Sequence, residues 1–308
     1  MTARMIEERP GRSLVLFVAL SVIWGLPYLF IRVAVRELTP ATLVFLRTAV
    51  GGALLIPLVA RRGQLRALLP HWRAVALYTV AEVAVPWVLL SDAERRLPSS
   101  LAGLLVAAVP LVGVGVSALS GGPGHERLAG RRLAGLLVGL LGVAVLLGLD
   151  VRTGDLGAVA EMAVVVVGYS IGPIIVARRL RDVPAMGVVA ASLVLTALVY
   201  APFAIVQFPR AMPSAQVIVA VAILAVFCTA LAFVIFFRLI AAVGPVRATI
   251  VAFFNPAVAV ALGVALLGEP FTIGTGAGFV LILLGSWLAT RPARLRAAPS
   301  AADAEPTP

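Results

Sequence analysis

Residues 248–290 read ATIVAFFNPAVAVALGVALLGEPFTIGTGAGFVLILLGSWLAT, and residues 102–149 read AGLLVAAVPLVGVGVSALSGGPGHERLAGRRLAGLLVGLLGVAVLLGL. Ala248 stands eight residues before Pro256, as Ala102 stands eight before Pro110. Glu269 precedes Gly278 by nine residues and Gly285 by sixteen, and Glu126 precedes Gly135 and Gly142 by the same steps. The copies differ by three residues between proline and glutamate, at about Gly121-Gly122-Pro123. A spacing kept over this length is an internal repeat, and it divides the chain into two like halves.

Outward from each copy the chain is apolar almost everywhere. Of its 308 residues 61% are hydrophobic and 13% charged, with mean hydropathy +1.08. Soluble domains run at about 45–50% and 25%, so too few charges remain to solvate a soluble surface. Cutting at charges and Pro/Gly clusters gives apolar segments at 13–33, 41–60, 74–90, 99–119, 133–149, 156–177, 185–206, 215–237, 249–267 and 272–290. Each is close to the about 20 residues that span a bilayer. In hydrocarbon the backbone must satisfy its own hydrogen bonds, so each reads as a helix. The gaps reach thirteen residues at most, too short for a soluble domain. The reading is an all-α integral membrane protein of ten transmembrane helices. A cytoplasmic segment at 1–12 and a disordered cytoplasmic tail at 291–308 flank repeats at 13–149 and 154–290.

All 25 basic residues are arginine. Their net charge of +11 does not form one basic face but falls in clusters between spans, which excludes a nucleic-acid surface and reads as a topology signal. With the N-terminus inside, 18 arginines lie on the cytoplasmic side and six on the other, with Arg47 inside span 2. Both termini are therefore expected in the cytoplasm of a cell-membrane protein. Five spans per half is an odd number, so the second copy sits upside down relative to the first. Inverted repeats are a transporter architecture, with the substrate held where the halves meet.

On these residues the chain resembles the EamA-type branch of the drug/metabolite transporter superfamily. The resemblance runs from about residue 14 to 290. It rests on Trp24-Gly25 with Pro27, Arg47, Pro110, Glu126-Arg127-Leu128 leading to Gly135 and Gly142, Gly154-Asp155-Leu156, Asn255-Pro256, and Gly268-Glu269-Pro270 with Gly278. It implies two inverted five-helix EamA repeats and export or exchange of small metabolites, such as amino acids, by alternating access. The chain departs from the pattern in its Ser120–Gly124 linker and in Glu82 and Glu161.

An ionisable side chain inside a span costs at least ~2.5–3.5 kcal/mol, which makes it a functional candidate. Arg47, Glu82 and Glu161 lie inside spans, and Glu82 is roughly 12–14 Å into span 3, near the midplane. Proton coupling needs a carboxyl that changes protonation between the two faces, and Glu82, beside Pro86 and Trp87, fits best. In the alternative, exchange is uncoupled, and Glu82 or Glu161 pairs with Arg47 to fix packing. Trp24, Tyr28, Trp87 and Tyr169 are candidates to line the cavity, while Trp72 and Trp287 read as interfacial anchors. Pro110 and Pro256, as repeat mates, read as paired hinges or static kinks, and Asn255 places an amide beside one of them. Gly135-x-x-x-Gly139 and Gly274-x-x-x-Gly278 predict close helix packing, within the chain or across a dimer, which leaves monomer and homodimer open. Glu126 and Glu269 are read as caps for the span that follows each.

His71 and His125 lie far apart in loops, and the one cysteine, Cys228, is inside a span, so no metal site, cofactor or catalytic set is expected. Gly121-Gly122-Pro123-Gly124 lacks the lysine of a phosphate loop, so no nucleotide drives transport through this chain. The rival reading, a multispan membrane enzyme, needs carboxylates or histidines clustered at one face, and these are scattered. The partners expected are a small-molecule substrate, a proton and the bilayer. A fluorescent protein fused after Pro308 should fluoresce in cells, and alkaline phosphatase fused there should be inactive; the reverse pair would invert the arginine reading.

Overall fold

The computed structural model describes residues 10–119, 130–150 and 155–290. Residues 1–9, the Ser120–Gly124 connector with His125, Glu126 and Arg127, residues 151–154 and the tail from Arg291 lie outside the described residues.

Among the described residues, ten helices are long and apolar enough to cross a membrane. They are α1 Gly11–Ala34, α2 Pro40–Arg61, α3 Arg66–Ala93, α4 Ser99–Ala118, α5 Arg131–Gly148, α6 Leu156–Arg179, α7 Ala185–Gln207, α8 Ala215–Val243, α9 Thr249–Leu267 and α10 Ile273–Thr290. Among the described residues there is no strand. Two helices outrun their expected segments. α3 opens with a 3-10 turn from Arg66, and α8 continues past Arg238, whose exposed side chain leaves Leu239 fully buried one position on. Cutting at charges shortens such helices, because an arginine near a span end can reach outward while its backbone stays helical.

Local chemistry sets the ends. Thr39 accepts from the Thr42 N–H at the start of α2, with Pro40 at the first helical position. Gly268 closes α9 at φ +66°, a left-handed conformation open to glycine, and Pro270 prevents continuation. Hydroxyls inside spans turn back on their own helix: Ser21, Thr48, Thr79, Ser91 and Ser192 each donate to the carbonyl four residues earlier.

The third and fourth helices of each half are irregular at related places. α3 carries a π-helical segment at Thr79–Ala84 and α8 one at Ile223–Leu231. α4 is broken by a turn at Ala107–Ala108, just before Pro110, and α9 begins as a 3-10 helix, Thr249–Phe253, just before Pro256. In α3 the cause is Pro86, which has no N–H for the turn before it, and Val85 donates five residues back to Val80.

Packing repeats this pairing. α5 packs on α10, α2 on α7 and α4 on α9, each pair being a helix with its own repeat mate. α1 packs on α8 and α9, as α6 packs on α3 and α4. The α5–α10 seam is antiparallel and intramolecular, and it engages Gly135, Gly139 and Gly142 with Gly278 and Gly285. A Cβ on Gly142 would lie 2.7 Å from the Ile282 nitrogen and 2.9 Å from the Gly278 oxygen, both backbone atoms that cannot swing away. Gly142→Ala should therefore lose about 1–3 kcal/mol and unfold earlier in a detergent melt, whereas Gly115→Ala, with nothing within 4 Å of its Cβ, should melt no earlier than the parent.

Candidate functional site

Arg47 lies about two turns into α2 and is 7% exposed. Its guanidinium carbon sits 3.7 Å from the centroid of the Trp87 ring on α3, a cation–π stack. Its Nε donates to the Thr229 hydroxyl on α8 at 2.9 Å, and that hydroxyl donates on to the Leu224 carbonyl at 2.8 Å. The second bond spans five residues inside the π-helical segment of α8, so Thr229 both supports the segment and aims the cation. Trp87 in turn donates its indole N–H to the phenol oxygen of Tyr169 on α6. Two helices from each half thus meet around one arginine.

Glu82 sits beside this group, in the π-helical segment of α3. It is half-buried, and its Oε2 is shielded with no hydrogen-bond partner. Tyr78 and Tyr169 lie close enough to feel its charge. α6 makes room for it with two glycines: a Cβ on Gly172 would lie 2.8 Å from the Glu82 carboxyl carbon, and one on Gly168 would lie 2.9 Å from Pro86. This Gly168-x-x-x-Gly172 pair is a small-residue seam of the kind expected between membrane helices, but the sequence reading passed over it.

The expected ion pair between Arg47 and a span carboxylate does not form. Glu161 is occupied elsewhere, 2.6 Å from Arg96, which also bonds Asp92 at 2.8 Å. Its place near the start of α6 brings it against the α3–α4 turn, away from Arg47, and its hydrogen bond holds the Arg96 guanidinium above its ordinary pKa. Glu269 also differs from expectation. Its carboxylate accepts from the N–H groups of Ser99 at 2.7 Å and Ser100 at 2.9 Å, so it caps α4 and not the span that follows it. At the α1–α2 turn, bonds from the Ser214 hydroxyl and N–H hold Glu37 below the usual carboxylate range and tie that turn to the start of α8.

Among the described residues the remaining candidates form no hydrogen bond with the arginine, though Tyr28 is close enough to feel its charge. Trp24 packs against Phe233 and Phe236 of α8, with ring centroids at 6.1 and 4.8 Å. Asn255, with its amide nitrogen toward α1, donates to the carbonyls of Ser21 at 3.2 Å and Val251 at 3.0 Å, which makes it a tie between α1 and α9. Tyr28 is buried in the largest apolar cluster. Around Pro110, the Ser170 hydroxyl lies between the carbonyls of Val166 at 2.7 Å and Val109 at 3.0 Å, and that of Ser286 donates to the Ala107 carbonyl at 3.4 Å. Trp72 and Trp287, at 61% and 47% exposure, lie at helix ends.

Thr229 was missed because a threonine in an apolar run normally bonds its own helix and signals nothing more. Thr229→Val strands the Leu224 carbonyl and the Arg47 Nε, at a cost of about 1–3 kcal/mol in melting experiments. Thr229→Ser should restore the parent value.

Three comparisons bear on this arrangement. A family model described as the EamA-like transporter family matches residues 11–148 and again 156–291. The uncharacterized inner membrane transporter YedA of Escherichia coli strain K12 is 31% identical over 301 residues, 93% of this chain and 94% of that protein. An uncharacterized transporter of Archaeoglobus fulgidus is 24% identical over 270 residues, 87% and 95% of the two chains. One crystal structure matches with a TM-score of 0.64 at 24% identity, covering 92% of this chain and 98% of its own, a likeness of fold.

Proposed function

The chain belongs to the EamA-like transporter family, and from that premise we propose that it is a secondary transporter that exports small metabolites by alternating access, in exchange for protons. The observation that carries this reading is the Arg47 cluster. A cation inside a membrane bundle is costly unless something in the bundle needs it. Among the described residues its one hydrogen bond runs from Nε to Thr229, so the two terminal nitrogens are uncommitted. They offer a fork for oxygen atoms of a solute, between the aromatic walls of Trp87 and Tyr169. Trp24, against Phe233 and Phe236, and Asn255, on the carbonyls of Ser21 and Val251, have partners of their own and are assigned no contact with the solute in this reading.

Glu82 is the coupling carboxyl in this reading. It lies beside Tyr169 of the cluster and has an oxygen without a bond, so gain or loss of a proton there is not opposed by an existing ion pair. Pro110 and Pro256 act as hinges at the breaks in α4 and α9, where helical hydrogen bonds are already missing. Five spans in each half support inverted repeats, and the arginine distribution supports cytoplasmic termini. The Escherichia coli relative's name supports an inner-membrane location. The intramolecular α5–α10 seam favours a monomer as the transport unit. One observation favours uncoupled exchange as a second reading: Glu161 is held in an ion pair, as a packing residue would be.

Purified protein in liposomes should move some member of a pool of amino acids and amphiphilic metabolites faster than empty liposomes do. An imposed pH gradient should drive accumulation. Arg47→Met should lower that flux roughly tenfold or more, whereas Glu82→Gln should keep exchange and lose accumulation. Accumulation that survives Glu82→Gln would move coupling to another group, and flux that survives Arg47→Met would remove the cation from the solute path.

A further inference from the structure

At the far end of α3 the chain buries a second carboxyl. Glu94, one residue beyond the helix, is 0% exposed, and neither of its carboxylate oxygens has a hydrogen-bond partner. Arg32 of α1 lies beside it, but the guanidinium donates to the main-chain carbonyl of Glu94 and not to its carboxylate. Beyond it lies Glu269, fixed on the α4 N-terminus by its bonds to Ser99 and Ser100. Ser99 is itself fully buried, and its hydroxyl has no partner. Ala93 and Leu97 on either side of Glu94 belong to the apolar cluster with Tyr28, Ile31 and Leu101.

An ionised carboxylate in such a place would be removed from water with nothing bonded in exchange, a state that proteins avoid by protonation. We infer that Glu94 is a proton-binding site at the α3–α4 end of the bundle, separate from Glu82, which is neutral while this end is closed and gives up its proton when the end opens. The released proton leaves a carboxylate one short movement from Arg32, whose guanidinium exchanges the main-chain carbonyl for an ion pair. The charged and titratable groups that face Glu94 are Arg32 and Tyr28 on α1, Arg47 on α2, Tyr169 on α6 and Glu269 at the α9–α10 turn. Burial pushes the carboxyl well above the ordinary range; Arg32 pulls against it, and Glu269 adds to it.

The sign of the coupling follows. The closed form has the raised pKa and an open, hydrated form has an ordinary one of about 4.3. Preference for the closed form is complete below that ordinary value and is lost as pH rises toward the raised one. With this end facing out, as in the proposed orientation, a proton bound from outside closes the path there. The direction rests on that orientation; the proton site itself does not.

The test is an infrared difference spectrum of the full chain in lipid nanodiscs between acidic and alkaline buffer, read at the C=O stretch of protonated carboxyls. A component of that band should be absent in Glu94→Gln and present in Glu82→Gln. Identical spectra for the parent and Glu94→Gln overturn the inference. If Glu94→Gln does not fold, Arg32→Gln serves instead. Loss of the positive charge must move the midpoint of that component to higher pH, and an unmoved midpoint overturns the inference. The readout needs no transported solute, so a failure of the transport reading, seen as no flux by the parent in liposomes, is distinguished from a failure here.

Discussion

Backbone polar groups in hydrocarbon have no water to turn to, and the rest of the structure follows from how the chain meets that constraint. Ten regular helices would satisfy it trivially, but they would offer a solute nothing polar to hold and no place to bend. The chain departs from regularity in four helices, α3, α4, α8 and α9, and each departure is repaired by a named side chain or a longer bond. Val85 reaches five residues back in α3, Thr229 bonds the Leu224 carbonyl in α8, Ser170 and Ser286 cover carbonyls near Pro110, and Asn255 covers one near Pro256. Ser170 and Ser286 reach across from the other half, and Thr229 and Asn255 also bond Arg47 of α2 and Ser21 of α1, so the irregular places are also where the halves are tied.

The same constraint explains the treatment of charge. A buried cation can be balanced by a carboxylate in contact, which fixes both, or by softer partners that leave it available. Arg47 takes the second course, with an aromatic face and a neutral hydroxyl. Arg96 and Glu161, nearer the end of the bundle and partly exposed, take the first. An ion pair at Arg47 would have made the cluster inert, because separating two buried charges is far more costly than lifting a guanidinium from a ring.

The sequence made the helices legible because hydropathy acts on every residue of a span, and made the repeat legible because proline, glycine and glutamate tolerate few replacements at kinks, seams and caps. Partners were less legible. Glu161 was read by its depth along α6, but its partner Arg96 comes from a turn that only the folded chain brings near. Glu269 was placed correctly at a helix end but assigned to the wrong helix, since a cap can act across the bundle as well as along the chain. Glu94 stands next to Arg95 and Arg96 and close to Asp92, a run that reads as a solvated turn. Its burial depends on α1 and the α9–α10 turn, elements distant in sequence. The π-helical segment of α8 left no mark at all, because no proline or glycine forces it.

Rigidity and irregularity are also divided between different helices. α5 and α10 meet backbone to backbone through glycine, and such a contact cannot slide without opening a void or colliding, because the interdigitated surfaces have few alternative fits. α3, α4, α8 and α9 contain the places where helical hydrogen bonds are shifted or absent, so their bending breaks few bonds. Arg47 stands on α2, a helix without such a break, but both of its partners stand on irregular ones, Trp87 just past the π-helical segment of α3 and Thr229 within that of α8. A change of shape in either irregular helix must therefore move one support of the cation relative to the other. The buried charge is thus tied to the shape of both halves at once, and in the proposed mechanism a solute that bridged Arg47 and the aromatic walls would favour one shape over another through that link.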